Sequence, residues 1–302
     1  MALDPITVIE RGWLSSNSIL IGGPQSTALI DSGYYTHSDQ TLALVDAALG
    51  GRALDVLVNT HLHSDHCGGN AALQQRYPGL RAHIPPGQSQ HVKLWNPDAL
   101  GFAPTGQCCP EFGFDAVLKP GTDIELGNVA WQVHAAPGHD PHSVILFEPA
   151  SRVLVSADAL WENGFGVVFA ELEGVSAFDE VGQTLDLIET LVPRKVIPGH
   201  GPAFYGVEKA LAVARKRLQG FVENPVKHSQ YAAKVLLKFK LLELQSIEES
   251  NFKSWALATP YFSLIHAHRF DHFDFTQWID QLVTDLIRSG AACRDGVMIK
   301  NA

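Results

Sequence analysis

No stretch of this chain is apolar for long enough to span a bilayer. Met1-Ala2-Leu3-Asp4-Pro5 has neither the basic n-region nor the apolar h-region of a secretory signal. A membrane protein and an exported one are therefore both excluded as expectations. Cysteine is scarce: the chain has four, Cys67, Cys108, Cys109 and Cys293. Their spacing matches neither a zinc finger nor a disulfide framework, which points to a reducing cytoplasm. Basic residues are outnumbered, with 22 Lys+Arg against 32 Asp+Glu and a formal net charge of −10. The imbalance is uneven. Residues 1–207 carry 9 basic and 22 acidic side chains, and residues 208–302 the remaining 13 and 10. An acidic first two-thirds offers no track for phosphates, so no nucleic-acid partner is expected. The mildly basic remainder reads as a solvated helical face that can draw in an anionic substrate. No internal repeat and no low-complexity stretch is present. What the chain has is apolar residues, 46% of 302 with mean hydropathy +0.03, enough for one large domain or a main domain with an appendage.

The chain is organised around Thr60-His61-Leu62-His63-Ser64-Asp65-His66-Cys67-Gly68-Gly69-Asn70. The apolar run 54–58 leads in and a helical pattern, 71–77, leads out, so the segment reads as strand, ligand loop, helix. In an extended chain, side chains two apart point the same way, so His61 and His63 can reach one ion. Asp65 and His66 are adjacent, and both face a second ion if the chain turns there. Imidazole with carboxylate suits zinc, iron or manganese. Cys67 reads as a small buried residue.

Short strands are expected at 6–9, 17–21, 27–30, 129–135, 144–147, 153–155 and 195–197, with helices at 41–49 and 178–191. Residues 78–121 are rich in Pro and Gly and contain His83, His91, Trp95, Phe102, Phe112 and Phe114. They read as an irregular segment that walls a pocket or covers the surface. His139, Asp158 and His200 each follow an expected strand. Asp31 ends another, as a turn former or as a partner of the ligand loop. Beyond residue 207 the pattern is helical, at 208–221, 230–244, 253–267 and 275–288, with Pro260 as a break in the third. Tyr231, Tyr261, His266, His268, Arg269 and His272 are the tail residues that could reach over a metal site, although packing accounts for each. No substrate-binding residue is assigned.

Five blocks in one order resemble the metallo-β-lactamase fold superfamily over about residues 6–207. They are Asp31 in Leu29-Ile30-Asp31-Ser32-Gly33, His61-x-His63-x-Asp65-His66, Pro137-Gly138-His139, Ser156-Ala157-Asp158 and Pro198-Gly199-His200-Gly201. The resemblance implies an α/β fold, a four-layer αββα sandwich (1–207) followed by a C-terminal helical region (208–302) that could serve as a substrate cap. It implies two divalent ions, zinc first with iron or manganese as substitutes. One would be held by His61, His63 and His139, the other by Asp65, His66 and His200, with Asp158 bridging and Asp31 bracing the loop without ligating. Two ions about 3.5–4 Å apart share a water and lower its pKa. The implied activity is attack of metal-bound hydroxide on a thioester, ester or lactone carbonyl of a small molecule. Asp65 would orient the hydroxide or protonate the leaving group.

The stretch 60–70 is similar to glyoxalase II and its relatives. Gly199-His200-Gly201-Pro202 departs from the Gly-His-Glu-Tyr of that group, and no Asn-Pro-Phe-Leu-Arg-like ending is found, so the resemblance is to a broader glyoxalase II-like hydrolase. Two other readings share the fold, a mononuclear iron persulfide dioxygenase-like enzyme and a low-turnover signalling or effector protein. Residues 281–296, a helix and a Gly-rich turn, faintly resemble the winged-helix tail of some relatives. They carry no expectation of nucleic-acid binding. The oligomeric state is left open.

Overall fold

The computed structural model describes residues 5–302; Met1–Asp4, where no signal features are read, lie outside them. Strands β1 (Ile6–Ile9), β2 (Ser18–Gly22), β3 (Thr27–Ile30), β4 (Val56–Val58), β5 (Arg81–Ile84) and β6 (Ala116–Val117) form one sheet in that order. A second sheet has the order β11-β10-β9-β8-β7, from β7 (Asp123–Leu126), β8 (Val129–Ala135), β9 (Val144–Glu148), β10 (Val153–Ala157) and β11 (Lys195–Pro198). Both are mixed: β3, β4, β5 and β6 pair in parallel, as do β10 and β11, while the other neighbours are antiparallel.

Alternation along the strands decides what faces what. Ile19, Ile21, Ala28, Ile30, Val56 and Val58 of the first sheet meet Val133, Val144, Leu146, Val155 and Ile197 of the second in a single buried cluster. The residues between them turn outward. Leu20, Leu29 and Leu57 pack under α1 (Ser38–Leu49) and, beyond the one-turn α2 (Ser64–Cys67), under α3 (Asn70–Arg76). On the far side Ile145, Phe147, Leu154 and Val196 share a core with α6 (Phe178–Leu191) and α7 (Val207–Glu223). The result is the expected αββα sandwich.

The segment 78–121 is less irregular than its composition implies. It contains β5, β6 and α4 (Ser89–Lys93). Four residues beside a Pro-Pro pair give β5 no periodic signal, and its parallel partner β4 lies beyond the ligand loop. Phe102 and Phe112 are buried with Leu62, Cys67 and Val92.

From α8 (Pro225–Leu244) onward the chain builds a further core, with Leu237, Leu241, Phe252, Phe262, Ile279 and Leu282 at its centre, which Val167 and Leu172 of the sandwich part join. Asn224 caps α8 by accepting the Lys227 N–H, and Pro225 takes the first helical position, where its missing N–H costs nothing. The expected third helix is two, α9 (Glu249–Ala258) and α10 (Pro260–Arg269), because Pro260 holds Thr259 extended at ψ 121°. After α11 (Phe275–Arg288) the helical tail completes a small sheet that its periodicity does not signal. β12 (Ser246–Glu248), β13 (Ala292–Asp295) and β14 (Met298–Asn301) form a three-stranded antiparallel sheet. Only Ala292 and Ile299 of these strands are buried, so there was too little apolar alternation to read.

Candidate metal centre

Asp31, the 61–66 loop, His139, Asp158 and His200 follow the ends of β3, β4, β8, β10 and β11, and the two sheets bring them to one edge. Three groups of ligand atoms lie within 4.8 Å of one another: His61, His63 and His139; His61, His66 and Asp158; Asp65, His66 and His200. Asp158 sits between the outer two. Its Oδ2 is 3.4 Å from His139 Nε2 and 3.8 Å from His200 Nε2, and its Oδ1 is 3.5 Å from His66 Nε2. Asp65 Oδ2 is 3.1 Å from His200 Nε2. All seven residues of the sequence-based ligand set are thus brought together.

The proton inventory tests whether cations fit. His139 Nδ1 lies 2.5 Å from the Val167 carbonyl and must donate to it. His66 Nδ1 donates to Asp31 Oδ2 at 2.8 Å. The Thr60 hydroxyl gives its proton to Asp31 Oδ2 at 2.8 Å, so its oxygen accepts from His61 Nδ1 at 3.1 Å. In its neutral form each ring then turns an Nε2 lone pair to the centre. The lone pairs of His61 and His139 face each other at 3.3 Å, and buried His66 Nε2 has no hydrogen-bond partner. Such a contact is repulsive until a cation accepts both pairs, so the donor set fits metal ions.

The electrostatics agree for His61 and His63. Burial, with the neighbouring histidines, pushes His61 well down and His63 down to about 4, so both rings are neutral at pH 7. His66 differs: burial opposes its charge, but the carboxylates of Asp31, Asp158 and Asp65 outweigh it and raise the ring well above the ordinary histidine value, so a cation held at Nε2 would take the place of a proton there. Against its own burial, Asp158 is held well below the usual carboxylate range by His200 and His66, and Asp65 is lowered by the same pair.

Asp31 answers the question left open by its position, because it is both turn former and brace. Its φ of 58° turns the chain after β3, and besides its Oδ2 contacts its Oδ1 accepts the Thr60 N–H at 2.9 Å. Behind it, Ser32, Asn59 and Asn70 close a buried network onto the His66 carbonyl. Gly199 is obligatory for a different reason, since a Cβ there would run into Asp158 Oδ1. Cys67 is buried against the Leu62 and His63 carbonyls and belongs to none of the ligand groups.

Several residues around the centre escaped sequence reasoning. Trp13 stacks on His200 with centroids 5.3 Å apart, and Trp161 meets that ring edge-on while donating Nε1–H to Asp158 Oδ1 at 3.2 Å. Phe169, on α5 (Phe169–Leu172), packs its edge against His63 and His139. Asp140 Oδ2 lies 3.9 Å from His63 Nε2. Only Asp140 had a signal, its place beside His139. A cavity of about 320 Å³ opens over the centre, and Tyr231 and Tyr261 line it. His266, His268, Arg269 and His272 do not. His266 hydrogen-bonds the Phe273 carbonyl, His268 that of Leu172, and His272 is exposed. His83 and His91 also lie away from the cavity.

A four-layer αββα sandwich with a His/Asp cluster at one sheet edge defines the class, a metallo-β-lactamase fold with a donor set for divalent metal. The metallo-beta-lactamase superfamily model matches residues 11–200, and the chain belongs to that superfamily. It is similar to the hydroxyacylglutathione hydrolase of Brucella anthropi, 27% identical over 201 residues that cover 65% of this chain and 63% of the relative. The chain therefore spans a little under two-thirds of this curated relative. Among solved structures, a metallo-beta-lactamase family protein from Thermus thermophilus superposes with a TM-score of 0.58, 17% identity and 99% coverage of each chain. TTHA1623 in a di-iron-bound form superposes at 0.53, with 25% identity, 68% of this chain and 96% of that one. Among the described residues, no helix is long and apolar enough to cross a membrane.

Proposed function

We propose that the chain is a dinuclear metal-dependent hydrolase acting on a small-molecule thioester, ester or lactone. The observation that carries this reading is the pair of triads, His61, His63 and His139 beside Asp65, His66 and His200, with Asp158 between them, its carboxylate oxygens within 3.8 Å of His66, His139 and His200. The similarity to hydroxyacylglutathione hydrolases favours a thioester first. The mononuclear iron alternative is not favoured, because Asp65, His66 and His200 form as complete a set as His61, His63 and His139. Zinc is the first expectation. The di-iron form of TTHA1623 supports iron as a substitute.

Divalent ions bound here would acidify a shared water and polarise the substrate carbonyl. The chain supplies the rest. Asp31 and the Val167 carbonyl fix His66, His61 and His139 in the tautomers that leave Nε2 free. Asp65, half-buried at the cavity wall, receives the proton of the attacking water and returns it to the departing sulfur or oxygen. For a thioester, the water oxygen bonds to the carbonyl carbon as the C–S bond breaks, giving an acid and a thiol. Trp13 and Trp161 screen His200 and Asp158 from bulk water. By packing, α7 goes with the sandwich, so we place the division of the chain at Asn224. Free cysteines throughout support a reducing cytoplasm.

Metal analysis joined to a hydrolysis panel tests the proposal. Wild type should bind about two ions and turn over at least one carbonyl class, and His61→Ala should lose turnover. Binding of a single ion, or hydrolysis that survives His61→Ala and chelation, would refute it.

A further inference from the structure

Beside the metal centre lies a second cavity, of about 600 Å³. Trp13, Trp161, His200, Tyr231 and Phe239 line both, so the two are continuous past His200. The far wall of the second cavity is cationic. Arg217 comes from α7, and Lys234 and Lys238 come from α8. The three N–H groups of Lys238 are committed to Ala291 O, Asn301 Oδ1 and Ala302 O. Arg217 and Lys234 make no ion pair among the described residues. Arg217 is nevertheless held in place. Its guanidinium carbon lies 4.4 Å from the Tyr231 ring centre, 5.3 Å from that of Phe221 and 5.5 Å from that of Phe165. A guanidinium fixed on three rings keeps its N–H fork free and pre-oriented.

We propose that this cavity receives the leaving-group half of the substrate, and that this half is a thiol carrier with an apolar or aromatic body bearing phosphate. The inference rests on the hydrolase reading for the position of the scissile bond. Trp13, Trp161, Tyr231 and Phe239 supply faces for the body. Two unpaired cations, one a planar fork and one a point charge, match a phosphate dianion. A glutathione carrier suits the wall less well. It brings an ammonium as well as two carboxylates, and the one acid on the lining, Glu162, is exposed to solvent. Its ammonium would sit among Arg217, Lys234 and Lys238.

Calorimetry with desulfo-coenzyme A, which has no thiol to reach a metal, reads the site without turnover. S-methylglutathione is the comparison ligand. On metal-replete protein, desulfo-coenzyme A should bind more tightly than S-methylglutathione, and Lys234→Gln or Arg217→Met should weaken it about tenfold or more. Lys234 is half-exposed, so its variant keeps the test open if Arg217→Met fails to fold. One acyl group on coenzyme A, glutathione and N-acetylcysteamine then separates the two readings. Lys234→Gln should raise KM for the first and leave kcat/KM for the uncharged third unchanged. Equal desulfo-coenzyme A binding by wild type and Lys234→Gln, or tighter binding of S-methylglutathione, overturns the inference even if a thioester is hydrolysed. Lysine-dependent binding with no thioester turned over keeps the phosphate site but overturns the thiol carrier, and leaves the hydrolase reading to esters and lactones.

Discussion

His139 and His228 grip opposite ends of one peptide group. His139 Nδ1 donates to the Val167 carbonyl at 2.5 Å, and His228 Nε2 accepts the Val168 N–H at 3.1 Å. The carbonyl and the N–H belong to the same amide plane, so each bond polarises it in the sense that strengthens the other. A member of the His/Asp cluster is thereby tied to α8, outside the sandwich.

Replacing His228 with Leu should loosen His139 without touching it. The orphaned Val168 N–H costs about 1–3 kcal/mol of stability, and the displaced carbonyl should weaken one metal site by about tenfold. Chelator competition against each ion reads this. A variant with unchanged affinity for both ions would show that the peptide link carries no orientation.

The same histidine sets a pH dependence. Burial, then Arg217 and Arg269, pushes His228 down to about 4. Between the unfolded value near 6.5 and that figure, the unfolded chain binds a proton that the folded chain refuses. Stability therefore falls as pH drops through this window, by about 1.4 kcal/mol per pH unit for this group. Urea unfolding of metal-free wild type and His228→Leu from pH 7 to pH 4 should give curves that converge on acidification. Parallel curves would mean that His228 titrates normally.

Asp31→Ala should be more damaging than its distance from substrate suggests. Thr60 N–H, Thr60 Oγ1 and His66 Nδ1 all lose their acceptor inside a buried loop. A loss of about 3–5 kcal/mol is expected for stranding charged and polar partners, with metal content falling below two ions per chain. Full occupancy at wild-type stability would leave Asp31 a turn former only.

Asp65→Asn keeps the shape of the carboxylate but cannot carry the proton. With both ions retained, turnover should fall by about a hundredfold or more. An Asn variant that binds both ions and works at the wild-type rate would remove Asp65 from the chemistry.

The candidate cluster was legible because four of its members crowd into residues 61–66 and the other three each follow a strand. Asp31 was only half legible: a strand-end aspartate reads as a turn, and its partners Thr60 and His66 are brought to it by sheet pairing. Trp13, Trp161 and Phe169 gave no signal, since their places depend on how separate loops meet over the edge. Arg217 and Lys234 looked like two charges on two solvated helices. Their shared cavity follows from how α7 and α8 pack. β13 and β14 were missed because each offers one buried side chain.

Each triad draws on both halves of the sandwich. His61 and His63 hang from the first sheet and His139 from the second; Asp65 and His66 hang from the first and His200 from the second. Ions bound there would act as rivets through the seam between the sheets, closing at its rim what Ile30, Val58, Val155 and Ile197 close by burial. At a free concentration a thousand times Kd, each ion would add about 4 kcal/mol to the folded state. Stripping it would unfasten one sheet from the other at the end where substrate enters, so loss of metal should be felt as loss of architecture as well as of chemistry.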